Sequence, residues 1–321
     1  MSIENRRKLG VLLVNLGSPS SPATRDVRRF LREFLSDRRV VNLPALLWWL
    51  ILNLFILPIR PAKSAHAYRA IWTDKGSPLI AFTQALTSKL NRRFGNDQLV
   101  FDCAMRYGKP LLKEKLQNFN QQGFDEIVVL PIYPQYSTTT TASIFDVVSA
   151  EFTNWKNPPS LRFISHYFQS PAYIDAIANS ILQHRQLHGQ SELLLISFHG
   201  LPARLIELGD PYLRHCQITA KLIADKLGLH DRQWQLVFQS RFGKAQWLKP
   251  YCLEVLQNLP KQGITNIEVI CPGFAVDCLE TLEEIAITNQ KIFRDAGGKN
   301  YTYIPALNDS DSHVEVIYDL I

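Results

Sequence analysis

Few cysteines are present, and none is spaced for a metal cage or a disulfide framework. Only five of 321 residues are cysteine, and no C-x-x-C occurs; the closest pair, Cys271 and Cys278, has six residues between. Zinc sites and secreted disulfide scaffolds use tighter or even-numbered patterns, so these thiols read as reduced and structural. No G-x-G-x-x-G follows an apolar run, which weighs against a dinucleotide oxidoreductase. A run of ~20 apolar residues, the length a spanning helix needs, is also missing. The nearest approach is Leu43–Pro58, LPALLWWLILNLFILP, with 13 residues between its prolines, Asn53 among them. The apolar stretch after MSIENRRK is short, lacks a small-residue cleavage site and runs into Gly-Ser-Pro, so it reads as a strand and not a signal peptide. Nor is there a uniform excess of one charge. Residues 1–75 hold 13 Lys/Arg against 5 Asp/Glu, while the whole chain is only +6. A nucleic-acid binder coated in basic residues would look different. With 46% apolar and 20% charged residues, the chain is neither disordered, collagen-like nor a polytopic membrane protein. Its length suits two domains or one large one, with a core that needs no staples.

What the sequence does contain is itself, twice. QQGFDEIVVLPIYP at 121–134 matches KQGITNIEVICPGF at 261–274. VFDCAMRYGK at 100–109 resembles VFQSRFGK at 237–244, and LLVNLGSP at 12–19 resembles LLISFHGLP at 194–202, in the same order. Three ordered matches point to duplication. Each half reads as four strands separated by helices. The strands fall at about 9–15, 98–104, 126–131 and 161–166, then 192–198, 234–240, 266–271 and 300–305. They are continuous apolar runs without strict alternation, as in parallel strands covered on both faces. Between them, Val27, Phe30, Leu31, Phe34 and Leu35 mark an amphipathic helix. The expected fold is α/β: two doubly wound Rossmann-like domains, each with a four-stranded parallel sheet, facing a cleft. The domains are placed at 1–170 and 171–321, with the last helix packing back on the first domain.

The first half carries 48 extra residues: Gly17 to Arg106 spans 89 positions, Gly200 to Arg241 only 41. This insertion, within about 20–90, holds the Leu43–Pro58 run, Tyr68, Trp72 and much of the basic excess. Insertions at the C-terminal side of a strand are where open α/β sheets add ligand-binding material. An apolar, aromatic wall with cations nearby suits a large planar ligand bearing carboxylates; an extra buried helix pair fits about equally well.

Polar chemistry collects at strand ends of the second half. His199 ends one strand, and CPGFAVDCLETLEE at 271–284 follows another. Asp277, Glu280 and Glu284, spaced i, i+3, i+7, are expected on one face of the next helix. In a parallel sheet both strand ends open on one edge, so His199 and these acids can meet. An imidazole and a carboxylate offer ligands to a first-row divalent metal, and can pass protons near neutral pH. A histidine at a strand end is equally a structural hydrogen-bonding residue, and acids in a first helical turn equally complement the helix dipole. His66, His166, His184, His188, His215, His230 and His313 have no comparable context; only His166 stands out as an outer metal or proton site.

SFHGLP at 197–202 and PGFAVDCLETLEEI at 272–285 resemble the two signature motifs of the ferrochelatase family. NLGSP at 15–19, FLSDRRVV at 34–41, GSPL at 76–79, MRYGKP at 105–110, LPIYPQYS at 130–137 and FQSRFG at 238–243 extend the likeness in order, nearest the proteobacterial type. The resemblance implies a chelatase-like fold and the last step of heme biosynthesis: Fe2+ inserted into protoporphyrin IX, giving protoheme and two protons. It implies His199 and Glu280 as catalytic and metal-binding residues on opposite sides of the porphyrin. Leu16, Tyr68, Ser77, Arg106, Tyr133 and Phe274 match porphyrin-lining positions, and Asp277 and Glu284 an acidic conduit. Fe2+ is then substrate, no cofactor is required and no [2Fe–2S] cluster is expected. Partners are limited to protoporphyrin and Fe2+, with no nucleic acid. The Leu43–Pro58 run becomes an apolar lip, and the expected location is the cytoplasm, peripheral at the inner face of the cell membrane.

Cys278 stands where many animal-type members have His, and Thr138 where they have a cluster cysteine. Asn15-Leu16-Gly17 differs from the Ala-Tyr-Gly of members that metalate coproporphyrin. Two alternatives remain at this stage: a coproporphyrin III ferrochelatase, and a non-catalytic heme or porphyrin carrier.

Overall fold

A computed structural model describes residues 7–243 and 245–321. The chain divides into two compact units, one comprising residues up to 133 and 137–166 with Ile321, the other 134–136 and 167–320. The first unit runs β1 (Leu9–Gly17), α1 (Thr24–Leu35), α2 (Ala45–Ile51), a π-helical turn (Leu52–Ile56), α3 (Leu57–Ile71), α4 (Pro78–Phe94), β2 (Leu99–Tyr107), α5 (Leu112–Gln121), β3 (Glu126–Pro131), α6 (Thr141–Asn154) and β4 (Ser160–Phe163). The second runs α7 (Pro171–His188), β5 (Leu193–His199), α8 (Ala203–Glu207), α9 (Tyr212–Lys226), β6 (Trp234–Gln239), α10 (Cys252–Asn258), a 3₁₀ turn (Pro260–Gln262), β7 (Asn266–Ile270), a π-helix (Glu280–Asn289), α11 (Gln290–Asp295), β8 (Asn300–Ile304) and α12 (Asp311–Asp319).

The sheets are ordered β2-β1-β3-β4 and β6-β5-β7-β8, parallel throughout. The same order twice is the duplication expressed in three dimensions. Central strands β1 and β5 are the most apolar because helices cover both their faces; Val11–Val14 and Leu194–Ile196 are wholly buried. The outer strand next to each is closed in the same way: Met105 N–H donates to Pro110 O and Phe238 N–H to Pro250 O. β4 stops at Phe163, short of the expected 166. Ile164 N–H still donates to Val129 O, but the next ladder bond needs an N–H from Pro131, which has none.

At the C-terminal end of β1 the chain must turn tightly. Gly17 has φ of +108°, and a Cβ there would lie 1.8 Å from Tyr107 O, so no other residue fits. The insertion is a helical arm over 45–71 that continues through Pro58, where the apolar run read from the sequence ends, and through Pro61. Pro61 cannot bond Leu57 O, and Arg28 Nε from α1 supplies the missing donor at 3.1 Å. Leu52 and Leu57 bury themselves against Leu35, with Trp48 and Phe34 packed alongside.

The last helix, read from the sequence as packing on the first domain, lies against α7 of its own unit. There it buries Val314, Val316, Ile317 and His313. Burial holds His313 neutral and brings its pKa down to about 4, although the Asn308 carbonyl and Asp309 pull it upward. In the unfolded chain this imidazole titrates near 6.5. Between those values the unfolded state binds the extra proton, so stability falls as pH drops through the window. The expected loss between pH 7 and pH 5 is about 2 kcal/mol more for wild type than for His313→Asn. Asparagine keeps a donor for Asn308 O without the titration. Urea unfolding at the two pH values measures the difference, and equal losses would remove His313 as the cause.

Candidate functional site

In the second unit three chain segments converge at the C-terminal edge of the sheet. β5 delivers His199, the end of β6 delivers Gln239 and Ser240, and the π-helix after β7 opens with Glu280. His199 pairs in register with Gln239. The next residue, Gly200, donates its N–H to Gln239 O at 2.8 Å. A Cβ on Gly200 would come within 2.7 Å of that oxygen, so the tight crossing requires glycine. Gln239 then reaches the other way: its Nε2 donates to Glu280 O at 2.9 Å, and its Oε1 accepts from Ser197 Oγ at 2.8 Å. One glutamine therefore joins the histidine strand to the glutamate helix.

The geometry also fixes the histidine tautomer. His199 Nδ1 lies 2.6 Å from Gly200 O. A carbonyl only accepts, so Nδ1 carries a hydrogen, and in the neutral imidazole Nε2 is the nitrogen with the lone pair. The Tyr212 hydroxyl donates to His199 O and steadies the backbone.

Glu280 and Glu284 share the π-helix, a winding often found at functional sites. Glu284 accepts from Ser240 twice, from N–H at 2.7 Å and from Oγ at 2.5 Å. Ser240 adopts φ of +65°, rare for a residue with a side chain, and this strained turn aims both donors at the carboxylate. Burial raises the Glu284 pKa above the usual carboxylate range and Glu280 adds to it, while Ser240 and His199 pull it back. Glu284 thus feels both His199 and Glu280 electrostatically. Asp277 is separate: it precedes the helix, so the three acids do not share one helical face, and it is almost fully buried among Tyr303, Thr281 and Asn308. Phe274 packs, half-buried, on the core of this unit.

In the first unit Leu16, next to last in β1, is half-buried, its N–H bonded to Asn15 Oδ1, and the Asn15 amide donates to Thr83. Ser77, buried, holds the N-cap position of α4, and Tyr68 is buried edge-on to Trp72. Tyr133 is half-buried against the core of this unit. Arg106 sits in a network absent from the sequence reading. Its Nη2 donates to Asp37 Oδ2 at 2.6 Å and its Nε to Ser143 Oγ at 2.7 Å. The same Asp37 oxygen accepts from Tyr107 and Ser143. Burial works to raise the Asp37 pKa, but donors from Ser143, Tyr107, Arg39 and Arg106 outweigh it and hold the carboxyl below its ordinary value.

Sequence reasoning missed Gln239, Ser240, Asn308 and Asp37. Gln239 and Ser240 lie in FQSRFG and Asp37 in FLSDRRVV, so the motifs contained them without revealing their direction. All five thiols are buried and free, and among the described residues no three His, Cys, Asp or Glu side chains gather as a metal cage.

The fold is that of the chelatases. SirB from Bacillus subtilis, solved with Fe3+, is similar at a TM-score of 0.57 and 11% identity, covering 98% of this chain and 95% of that one. DR2241 from Deinococcus radiodurans, whose structure is described as similar to chelatases, matches at a TM-score of 0.53 and 10% identity, with 98% of this chain and 54% of that chain covered. The chain belongs to the ferrochelatase family: the Ferrochelatase family model matches residues 8–321. The ferrochelatase of Methylococcus capsulatus is 54% identical over 316 residues, 98% of this chain and 96% of the relative. That of Pseudoalteromonas atlantica is 48% identical over 318 residues, 98% and 88%. The protein is a metal chelatase.

Proposed function

We propose that this chain inserts Fe2+ into protoporphyrin IX, with His199 and Glu280 as its reacting groups. The reaction balances without nucleotide or redox change: two pyrrole N–H bonds break, the cation bonds to the ring nitrogens and two protons leave. The single observation carrying the assignment is the Gln239 bridge, which brings a histidine with a free Nε2 to the edge where Glu280 and Glu284 stand. His199 Nε2 takes a pyrrole proton or meets the incoming cation. Glu280, backed by Glu284, supplies the charge that replaces water around Fe2+ and accepts departing protons. In the second unit Phe274 is the aromatic assigned to the macrocycle; Leu16, Tyr68, Ser77 and Tyr133 of the first unit are assigned to porphyrin by motif alone. Arg106, whose Nε and Nη2 are already taken, offers Nη1 to a porphyrin carboxylate. No resident cofactor enters this scheme. The test is anaerobic Fe2+ insertion into protoporphyrin IX and coproporphyrin III, followed by absorbance. Preferential turnover of protoporphyrin supports the reading; preference for coproporphyrin, or none with either, contradicts it.

The helical arm adds a location. Leu46 is 75% exposed, Ile59 73% and Phe55 64%, with Leu47, Trp49 and Leu54 also at the surface. Residues 45–71 are long and apolar enough to cross a membrane by length and composition, with an 18-residue window of mean hydropathy 1.6. One side, however, is committed to α1 through Leu52, Leu57, Trp48 and Arg28. A helix packed on one side and apolar on the other suits lying in a lipid interface, and basic residues nearby favour anionic lipid. Leu46→Glu with Phe55→Glu is expected to cut co-sedimentation with phosphatidylglycerol-containing vesicles at least ~10-fold, since each change forfeits apolar burial and adds repulsion. The melting temperature should stay within about 2 °C, both side chains being exposed. Unchanged co-sedimentation would place the lipid contact elsewhere or remove it.

A further inference from the structure

Asn308 sits in the turn between β8 and α12 with φ of +50°, a left-handed conformation that asparagine tolerates better than most residues. Each of its four polar groups is used. Its N–H donates to Ala275 O at 3.1 Å, and its carbonyl accepts from His313 Nδ1 at 2.5 Å. Its side chain clamps Asp277 at two points: Oδ1 accepts from Asp277 N–H at 2.8 Å, and Nδ2 donates to Asp277 Oδ2 at 2.7 Å. Three of these bonds therefore hold residues 275–277, the strip leading into Glu280.

The other oxygen of Asp277 completes the connection. Oδ1 accepts from Tyr303 OH at 2.5 Å, Thr281 Oγ1 at 2.9 Å and Ala306 N–H at 3.4 Å. Thr281 Oγ1 in turn accepts from Cys278 N–H at 2.9 Å. Thr281 adjoins Glu280 in the first turn of the π-helix, so Asp277 pins that turn to β8 and to the turn after it. A carboxylate 3% exposed, with fixed neutral donors on both oxygens, is solvated by the protein itself.

We propose that Asn308 is a positioning residue for metal insertion, acting through Asp277 to set Glu280, and that the charge of Asp277 takes no part in moving metal or protons. This rests on the function proposed above, with Glu280 as a reacting group.

The pair permits a test that removes and then restores the clamp. Asn308→Asp sets two buried carboxylates against each other. Asp277→Asn with Asn308→Asp exchanges the two residues and keeps every hydrogen bond. The carboxylate now at position 308 accepts from the backbone N–H of position 277 and from the new amide there, whose oxygen accepts from Tyr303 and Thr281. The readouts are kcat and KM for Zn2+ insertion into protoporphyrin, porphyrin affinity by fluorescence, and melting temperature. Asn308→Asp is expected to lower kcat about 10²-fold, as for a misplaced reacting group, with porphyrin affinity changed less than ~3-fold. The exchange should return kcat to within ~5-fold of wild type. Where the single variant does not accumulate as folded protein, the exchange alone decides. An exchange variant that stays inactive, folded or not, overturns the proposal, as does a single variant of wild-type kcat. Wild type assayed alongside separates this from the function itself, since a wild type that inserts no metal refutes the activity and not the clamp.

Discussion

His199→Ala is expected to lower kcat for metal insertion into protoporphyrin by about 10³-fold, within the 10²–10⁴ typical of a positioned acid–base group. That corresponds to about 4 kcal/mol of barrier. The size follows from the state of the ring in the folded protein. Gly200 O accepts a hydrogen bond from Nδ1 and holds the ring, so Nε2 is presented without rotation. Alanine leaves water to accept the proton without orientation. Porphyrin affinity should change less than ~3-fold, because the imidazole is one small contact beside a large apolar macrocycle. Steady-state kcat by absorbance, with Kd from fluorescence quenching, measures both. A kcat within threefold of wild type would remove His199 from the chemistry.

Glu280→Gln should lower kcat by about 10²-fold or more and raise KM for the metal while sparing porphyrin binding. Glutamine preserves shape and leaves the bond from Gln239 to the residue 280 carbonyl in place, so the loss reports charge and not folding. The charge matters because replacing the water around a divalent cation requires hard anionic oxygen. Glu284 cannot substitute fully, since Ser240 already occupies both its oxygens. Initial rates at varied Zn2+ test this, and an unchanged metal KM with unchanged kcat would contradict it.

The fold was largely legible from the chain because a parallel sheet buried on both faces writes itself as continuous apolar runs. Val11–Val14 and Leu194–Ile196 are such runs, and the repeated motifs carried the repeated strand order. The end of β4 was less legible, since it depends on a missing N–H in a neighbouring strand, at Pro131. The continuation of the helical arm past Pro58 was not legible, because Arg28, 33 positions before Pro61, satisfies the carbonyl that proline orphans. At the site, residue types at strand ends pointed to His199 and Glu280, and the structure joins their segments. Spacing alone placed Asp277 beside Glu284, but spacing assumes a helix, and the helix starts after Asp277. Gln239, Ser240 and Asn308 act through direction, through a strained φ, and through partners far away in sequence, none of which a motif records.

Anaerobic Fe2+ insertion into protoporphyrin IX by wild type and by the His199→Ala, Glu280→Gln double variant bears most directly on the whole scheme. Loss of porphyrin fluorescence and growth of the heme spectrum are expected with wild type. The double variant should bind porphyrin with near wild-type affinity and leave its fluorescence standing. A double variant that makes heme at the wild-type rate would show that the metal enters by another route.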